Sequence, residues 1–230
     1  MQARLTRGVF TVEARYAEPR YEVVQPGMQF LQDLHFKVQP VYQLQPGDIS
    51  GLTGQTAAEN GIKISLFYGV GAVEIKVDRM LFRFDGDPST IGENTFVTIT
   101  GPIWDLLAER FGVALGAMSF RAGCWFKFEE ATKEEISNFL FNTASAPIEF
   151  DSSLGEHHFL PSGVLRKEGL WHLQYRFEEG HWLGSHLFAD INAYFFPEAA
   201  KEGYRVTVDA WRHLLLKLAQ GYGLVLPDVE

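Results

Sequence analysis

The feature that most constrains this chain is an alternation of apolar and polar residues, with a period of two, along several stretches of its first half. Successive side chains of a β-strand point to opposite sides, so this alternation is typical of a half-buried strand. In "FTVEARY" the residues on one side are Phe10, Val12, Ala14 and Tyr16. The stretches "IKISLFY" and "AVEIKVD" repeat the pattern, and the glycines of the intervening "GVG" suit a tight hairpin turn. A further stretch, "MLFRFDGD", extends the meander. The first half therefore predicts an antiparallel sheet.

The segment "FLQDLHFKV" also fits a period of two and is predicted to be a strand. Its apolar side would carry Phe30, Leu34, Phe36 and Val38. Aromatic residues make up 14% of the chain, with 19 Phe. Because aromatic side chains are enriched in strands, this content favours a sheet-rich core over a helical bundle.

Two segments change to a helical period. In "TGPIWDLLAERFG" the apolar stripe is Ile103, Leu106, Leu107 and Phe111. Thr100 and Pro102 predict the start of this helix and Gly112 its end, the usual residues at helix termini. Near the end of the chain, "TVDAWRHLLLKLAQ" predicts a second amphipathic helix that begins near Asp209.

Between the helices, "SFRAGCWFKF" returns to alternation and places Cys124 on the same side as three phenylalanines. We interpret Cys124 as a core thiol rather than a nucleophile. Thr132 and Glu135 have the spacing of a capping box and predict the start of a short helix.

The two halves of the chain resemble each other. "FVTITGPIWDLLAERFGVAL" and "RVTVDAWRHLLLKLAQGYGLVL" share a Val-Thr strand end, a Trp early in a helix and an aromatic-Gly exit, although the match requires an insertion. We predict an α+β protein built by tandem duplication of an antiparallel β-meander with one amphipathic helix packed on the sheet. The repeats are residues 1–117 and 118–230, with their sheets either continuous or face to face. The alternative is a chance similarity between two sheet-then-helix segments.

Composition excludes some classes of function. The net charge of −9 argues against a protein that tracks a phosphate backbone, because such proteins present an excess of Lys and Arg. Cys124 is the only cysteine, so no intramolecular disulfide can form, and the first residues lack a signal-peptide core. We therefore expect a cytoplasmic protein without a membrane span.

One constellation of polar residues lies in "LWHLQYRFEEGHWLGSHLFADINAYFF". If its two strands pair as a hairpin, one face carries the candidate ligand-binding residues His172, Arg176, His186, Asp190 and Tyr194. In an enzyme, one of the histidines would transfer protons and the arginine would hold an anion. The alternative is the solvent-exposed side of an ordinary antiparallel sheet, which is also polar.

A metal site is a further alternative. His157 and His158, from the preceding loop, could join His172 and His186 as ligands of zinc or iron. No recognised metal-binding spacing occurs, so we predict no cofactor. Catalytic motifs such as a nucleophile elbow or a phosphate loop are also missing from the sequence.

The sequence thus favours a soluble, non-enzymatic interaction or assembly subunit that oligomerises or binds a protein partner. The alternative is a small-molecule-binding protein or enzyme, with or without a metal, that uses the polar face of the hairpin at 170–196.

Overall fold

The computed structural model describes residues 3–25, 27–87, 95–128, 131–132, 135, 162–179 and 187–221. This part of the chain is an α+β structure with nine strands and four α-helices. The strands are β1 (Ala3–Tyr16), β2 (Ile49–Leu52), β3 (Gly61–Leu66), β4 (Gly71–Lys76), β5 (Arg79–Gly86), β6 (Leu115–Phe128), β7 (Ser162–Lys167), β8 (Trp171–Glu179) and β9 (Leu187–Phe195). The helices are α1 (Gly27–Val38), α2 (Thr95–Phe111), α3 (Pro197–Ala200) and α4 (Tyr204–Gly221).

All nine strands form one sheet in the order β2-β3-β4-β5-β1-β6-β9-β8-β7, and every neighbouring pair is antiparallel. The two longest strands, β1 and β6, have 14 residues each and pair at the centre. The sheet is therefore continuous through both halves of the chain, which decides between the two predicted arrangements. The division at residue 117 stays a prediction, and it falls within β6.

One face of the sheet carries the hydrophobic core. Alternate residues of β1, β6 and β9 are buried there, as in Met118, Phe120 and Ala122 of β6. The same core cluster includes Leu34 of α1 and Leu107 of α2. The described helices therefore pack on one side of the sheet, which is the arrangement that amphipathic helices and half-polar strands require.

Helices α2 and α4 contact each other over the centre of the core. The Trp104 and Tyr204 rings stack with centroids 5.2 Å apart. The buried Tyr204 hydroxyl donates a hydrogen bond of 2.8 Å to Thr100 Oγ1. On α4, Trp211 stacks on Phe120 of β6 at 5.0 Å. No helix of the described residues is long and apolar enough to cross a bilayer.

The prediction of a strand for residues 30–38 is wrong, because this segment is helix α1. Phe30, Leu34 and Val38 are buried at a spacing of four, whereas Phe36 is 72% exposed. A four-residue spacing places side chains on one side of a helix, and positions two apart fall on different sides. Phe30, Leu34 and Val38 fit both a period of two and a helical spacing, and only Phe36 distinguishes the two patterns.

Both long helices begin earlier than predicted. Helix α2 starts at Thr95, so Pro102 lies inside it, and α4 starts at Tyr204 rather than near Asp209. The shared Val-Thr pairs consequently lie in helices and do not end strands. The predicted end of α2 is confirmed, since Gly112 follows it with a positive φ of 63°.

Several local predictions are confirmed. The β3/β4 hairpin turns through residues 67–70, where Gly69 has a φ of 93°. Thr132 and Glu135 form the reciprocal hydrogen bonds of a capping box, although most of the helix predicted after them lies outside the described residues. Cys124 is buried on the core face of β6, and its burial raises the pKa of the thiol to about 12.

Candidate functional site

The side chains that point away from the described helices form what we call the open face of the sheet. It consists of the alternate strand residues that are not in the hydrophobic core, such as Thr11 of β1 and Arg121 of β6. Because the strands pair in register, these side chains line up in rows that cross the sheet. With neighbouring strands about 4.8 Å apart, nine strands extend this face over about 38 Å.

Four of the five predicted ligand-binding residues lie on the open face. They are His172, Arg176, Asp190 and Tyr194, and the register places His172 opposite Tyr194 and Arg176 opposite Asp190. The predicted β8/β9 pairing is therefore observed. His186 lies outside the described residues, as do His157 and His158.

The four side chains are engaged in local contacts rather than directed at one point. The His172 and Tyr194 rings stack with centroids 5.7 Å apart, and Phe196 packs edge-on against both. Arg176 forms an ion pair of 2.6 Å with Glu178, its neighbour along β8. Asp190 accepts a hydrogen bond of 3.2 Å from Asn192 Nδ2. Among the described residues the arrangement is a polar surface with an aromatic cluster.

The described residues contain no group of three or more His, Cys, Asp or Glu side chains that could hold a metal ion. Three of the four histidines named for the metal alternative lie outside these residues. His172 itself packs against two aromatic rings.

The open face is strongly basic, a property that the linear sequence does not show. Eleven basic side chains of the described strands point to this face, against five acidic ones. The basic residues are Arg4, Arg7, Arg15, Lys63, Lys76, Arg79, Arg83, Arg121, Lys127, Arg166 and Arg176. The acidic residues are Glu13, Glu74, Asp85, Glu178 and Asp190. No two of the basic residues are adjacent in the sequence, so no run of Lys or Arg marks the surface.

Ion pairs neutralise only part of this charge. Glu13 bonds Arg15 at 2.5 Å and lies 3.8 Å from Arg79, and Asp85 pairs with Arg7. Five basic side chains form no ion pair with any described residue: Arg4, Lys63, Arg121, Lys127 and Arg166. Their charge is available to a ligand.

The stems of the charged side chains also cover apolar groups. Leu81 of β5 points to the open face, between Glu74 of β4 and Glu13 of β1, yet it is only 4% exposed. Long charged side chains commonly shield apolar surface in this way. Leu81 therefore adds little exposed apolar area to the open face.

One row across the centre contains no carboxylate, and we call it the polar row. In order across five neighbouring strands it consists of Arg83, Thr11, Arg121, Asn192 and Gln174. Four strand spacings give it a length of about 19 Å. The stacked pair of His172 and Tyr194 lies to one side of this row. On the other side, farther along the strands, Trp125 packs against Phe188 at 4.7 Å.

Comparison with known proteins adds no assignment, since no protein-family model and no curated protein matches the chain significantly.

Proposed function

We propose that this protein is a non-enzymatic binding protein that recognises a protein partner, or a second copy of itself, through the open face. The observation that carries the proposal is the composition of that face. It combines half-buried aromatic pairs with arginines that have no ion-pair partner among the described residues. Aromatic residues and arginine are the types enriched at protein interfaces.

The dimensions of the open face suit such a role. Its width of about 38 Å, multiplied by about 20 Å for six residues along the strands, gives roughly 800 Å². A stable interface buries about the same area on each partner. The face could therefore hold a complete interface.

Two features support binding rather than catalysis. Arg176 and Asp190 each bond a neighbour on their own strand, so neither is held ready for a reacting group. Cys124 lies on the core face, where its raised pKa keeps the thiol protonated near neutral pH.

The experiment compares two charge reversals that differ in the face they change. Arg121→Glu alters an exposed residue of the open face, and Lys167→Glu alters an exposed residue on the opposite side of the sheet, across from Trp171. Size-exclusion chromatography with light scattering and capture from a lysate of the source organism are applied to both variants and to the wild type. We expect a dimer or a captured protein that Arg121→Glu loses and Lys167→Glu keeps. The proposal would be refuted if the wild type is a monomer and the wild type and both variants capture the same proteins.

A small-molecule site on the β8/β9 hairpin is the second candidate, because the register groups His172, Arg176, Asp190 and Tyr194 on one face. Zinc titration of protein purified without a histidine tag tests its metal-dependent form. About one equivalent of bound metal, lost in His172→Ala, would favour this candidate. Weak uptake that is the same in the variant would count against it.

We also propose that the sheet arose by duplication. The order β1-β5-β4-β3 on one side of the centre corresponds to β6-β9-β8-β7 on the other, and each set is followed in the chain by a helix that packs on the core. Expressing residues 1–114 and 115–230 separately, which keeps β6 whole, tests whether each half can fold by itself as a former repeat would. The two fragments should then associate with each other when mixed, because β1 of the first and β6 of the second would pair again as they do in the whole chain. Failure of the separately folded halves to associate would count against it.

A further inference from the structure

The charge of the open face is opposite to that of the whole protein. The face has an excess of six positive charges among the described strands, whereas the chain has a net charge of −9. The remaining residues together therefore carry a net charge of about −15. Such segregation of charge steers a negatively charged partner to one surface and away from the others.

Like charges also face each other within the sheet. Arg4 lies directly opposite Lys127, and Arg15 lies directly opposite Arg79. Glu13 compensates the second pair, but no ion pair with a described residue compensates the first. Like charges on opposite strand positions are destabilising, so the first pair adds unbalanced positive charge to the open face, six residues along β6 from Arg121.

We propose that the open face binds an extended acidic segment of a protein partner, which lies across the strands along the polar row. This inference rests on the proposed function and specifies the chemistry of the partner. Arg83 and Arg121 bind the carboxylates of the segment, because guanidinium groups match carboxylates in a bidentate geometry. Asn192 and Gln174 hydrogen-bond its backbone, since each amide offers both donors and an acceptor.

The spacing fits this arrangement. Arg83 and Arg121 are two strands apart, about 9.6 Å, whereas side chains on one side of an extended segment recur about every 6.8 Å. The long side chains of arginine and glutamate cover the difference. The Arg83 guanidinium lies 3.9 Å from a Glu74 oxygen, a long ion pair, and its side chain is 60% exposed. Arg121 is exposed and forms no ion pair with a described residue, so both arginines can turn to a ligand.

A single-stranded nucleic acid fits the same face less well. Five carboxylates lie among the basic residues and would repel a continuous polyanion. Nucleic-acid surfaces of this kind stack bases on free aromatic faces, but His172 stacks on Tyr194 and Trp125 packs against Phe188. A peptide needs only a few carboxylates at the arginines and places no base against these rings.

Fluorescence anisotropy with defined probes tests the proposal. The probes are a labelled peptide of alternating Glu and Ser, its Gln-Ser counterpart, and a short oligothymidylate. The proteins are the wild type, Arg83→Gln, Arg121→Gln and the matched control Lys167→Gln, which removes the same charge from the opposite side of the sheet. Circular dichroism verifies that the exposed substitutions leave the fold intact.

We expect the wild type to bind the Glu-Ser peptide and not the Gln-Ser peptide. Arg83→Gln and Arg121→Gln should each weaken this binding about tenfold, the effect of one charge-assisted hydrogen bond, and Lys167→Gln should leave it within about twofold. Equal weakening in all three variants, or no binding at millimolar protein, would overturn the proposal. Tighter binding of oligothymidylate that depends on Arg121 would overturn it in favour of a nucleic-acid surface.

The capture experiment described under the proposed function distinguishes failure of the acidic-segment proposal from failure of the proposed binding function. Cross-linking the captured partner to the wild type identifies the segment that it binds with. If Arg121→Glu loses the partner and that segment is not acidic, the acidic-segment proposal fails and the binding function stands. If no partner or dimer depends on the open face, both fail.

Discussion

Cys124 provides a quantitative test of the core, because its environment couples stability to pH. The thiol lies on the core face of β6, between Gly8 of β1 and Ala189 of β9, and is 7% exposed. Its pKa is raised from 9.0 to about 12, chiefly because burial disfavours the thiolate. We expect the wild type to lose stability relative to Cys124→Ala as the pH rises from 8 to 10.

The sign follows from the proton balance. Above pH 9 the unfolded thiol releases its proton, whereas the folded thiol keeps it until the pH approaches 12. The unfolded state then binds fewer protons, so the free energy of unfolding falls as the pH rises through this window. Below pH 9 the contribution is fully present. At about 1.36 kcal/mol for each pH unit between the two pKa values, the loss from pH 8 to pH 10 is about 1.4 kcal/mol.

Urea unfolding followed by tryptophan fluorescence at pH 8, 9 and 10 measures this difference. Burial also raises the pKa of Tyr16 and of Tyr204, but the wild type and Cys124→Ala both retain these tyrosines, so their effect on stability cancels in the comparison. A difference between wild type and Cys124→Ala that is independent of pH would show that the thiol ionises equally in both states. A difference that grows in favour of the wild type would show a stabilised thiolate. Either result would refute the assignment of Cys124 as an inert core thiol.

Two further predictions concern the helices. Leu34→Ala should lower the free energy of unfolding by about 2–5 kcal/mol because Leu34 is fully buried, whereas Phe36→Ala should change it by less than about 0.5 kcal/mol because Phe36 is exposed. Equal effects of the two substitutions in chemical denaturation would contradict the helical assignment of α1. The hydrogen bond between α2 and α4 is removed by either Tyr204→Phe or Thr100→Val, so each variant should lower the free energy of unfolding by about 1 kcal/mol. The double variant should lower it by about 1 kcal/mol less than the sum of the two, and strict additivity in this double-mutant cycle would argue that the bond contributes nothing.

The sequence predicted strands well where alternation was the only consistent pattern. In β6 the apolar residues recur every second position over ten residues, and no helix could bury them on one side. In α1 the apolar residues Phe30, Leu34 and Val38 fit both periods. Phe36 misled the prediction, because its place in the pattern suggested burial and the fold leaves it exposed.

The helix starts were missed for a different reason. Thr100 and Pro102 have the residue types that often open a helix. In the structure Thr100 accepts the hydrogen bond of Tyr204, and Ile99 is fully buried beside it. Packing against α4 and the sheet thus favours a helix that extends to Thr95. Local propensity is a weak guide where tertiary contacts are this extensive.

By itself the sequence determined the class of fold and the core-facing side of the strands with clear alternation, such as β1 and β6, since these depend on the order of apolar and polar residues along a short stretch. It also determined that His172, Arg176, Asp190 and Tyr194 share a face once β8 and β9 pair. Only the tertiary structure decided that all nine strands join in one sheet. It alone placed Arg83, Thr11 and Arg121 side by side, because the register between β5, β1 and β6 depends on contacts between residues far apart in the chain. The basic open face is a product of that register.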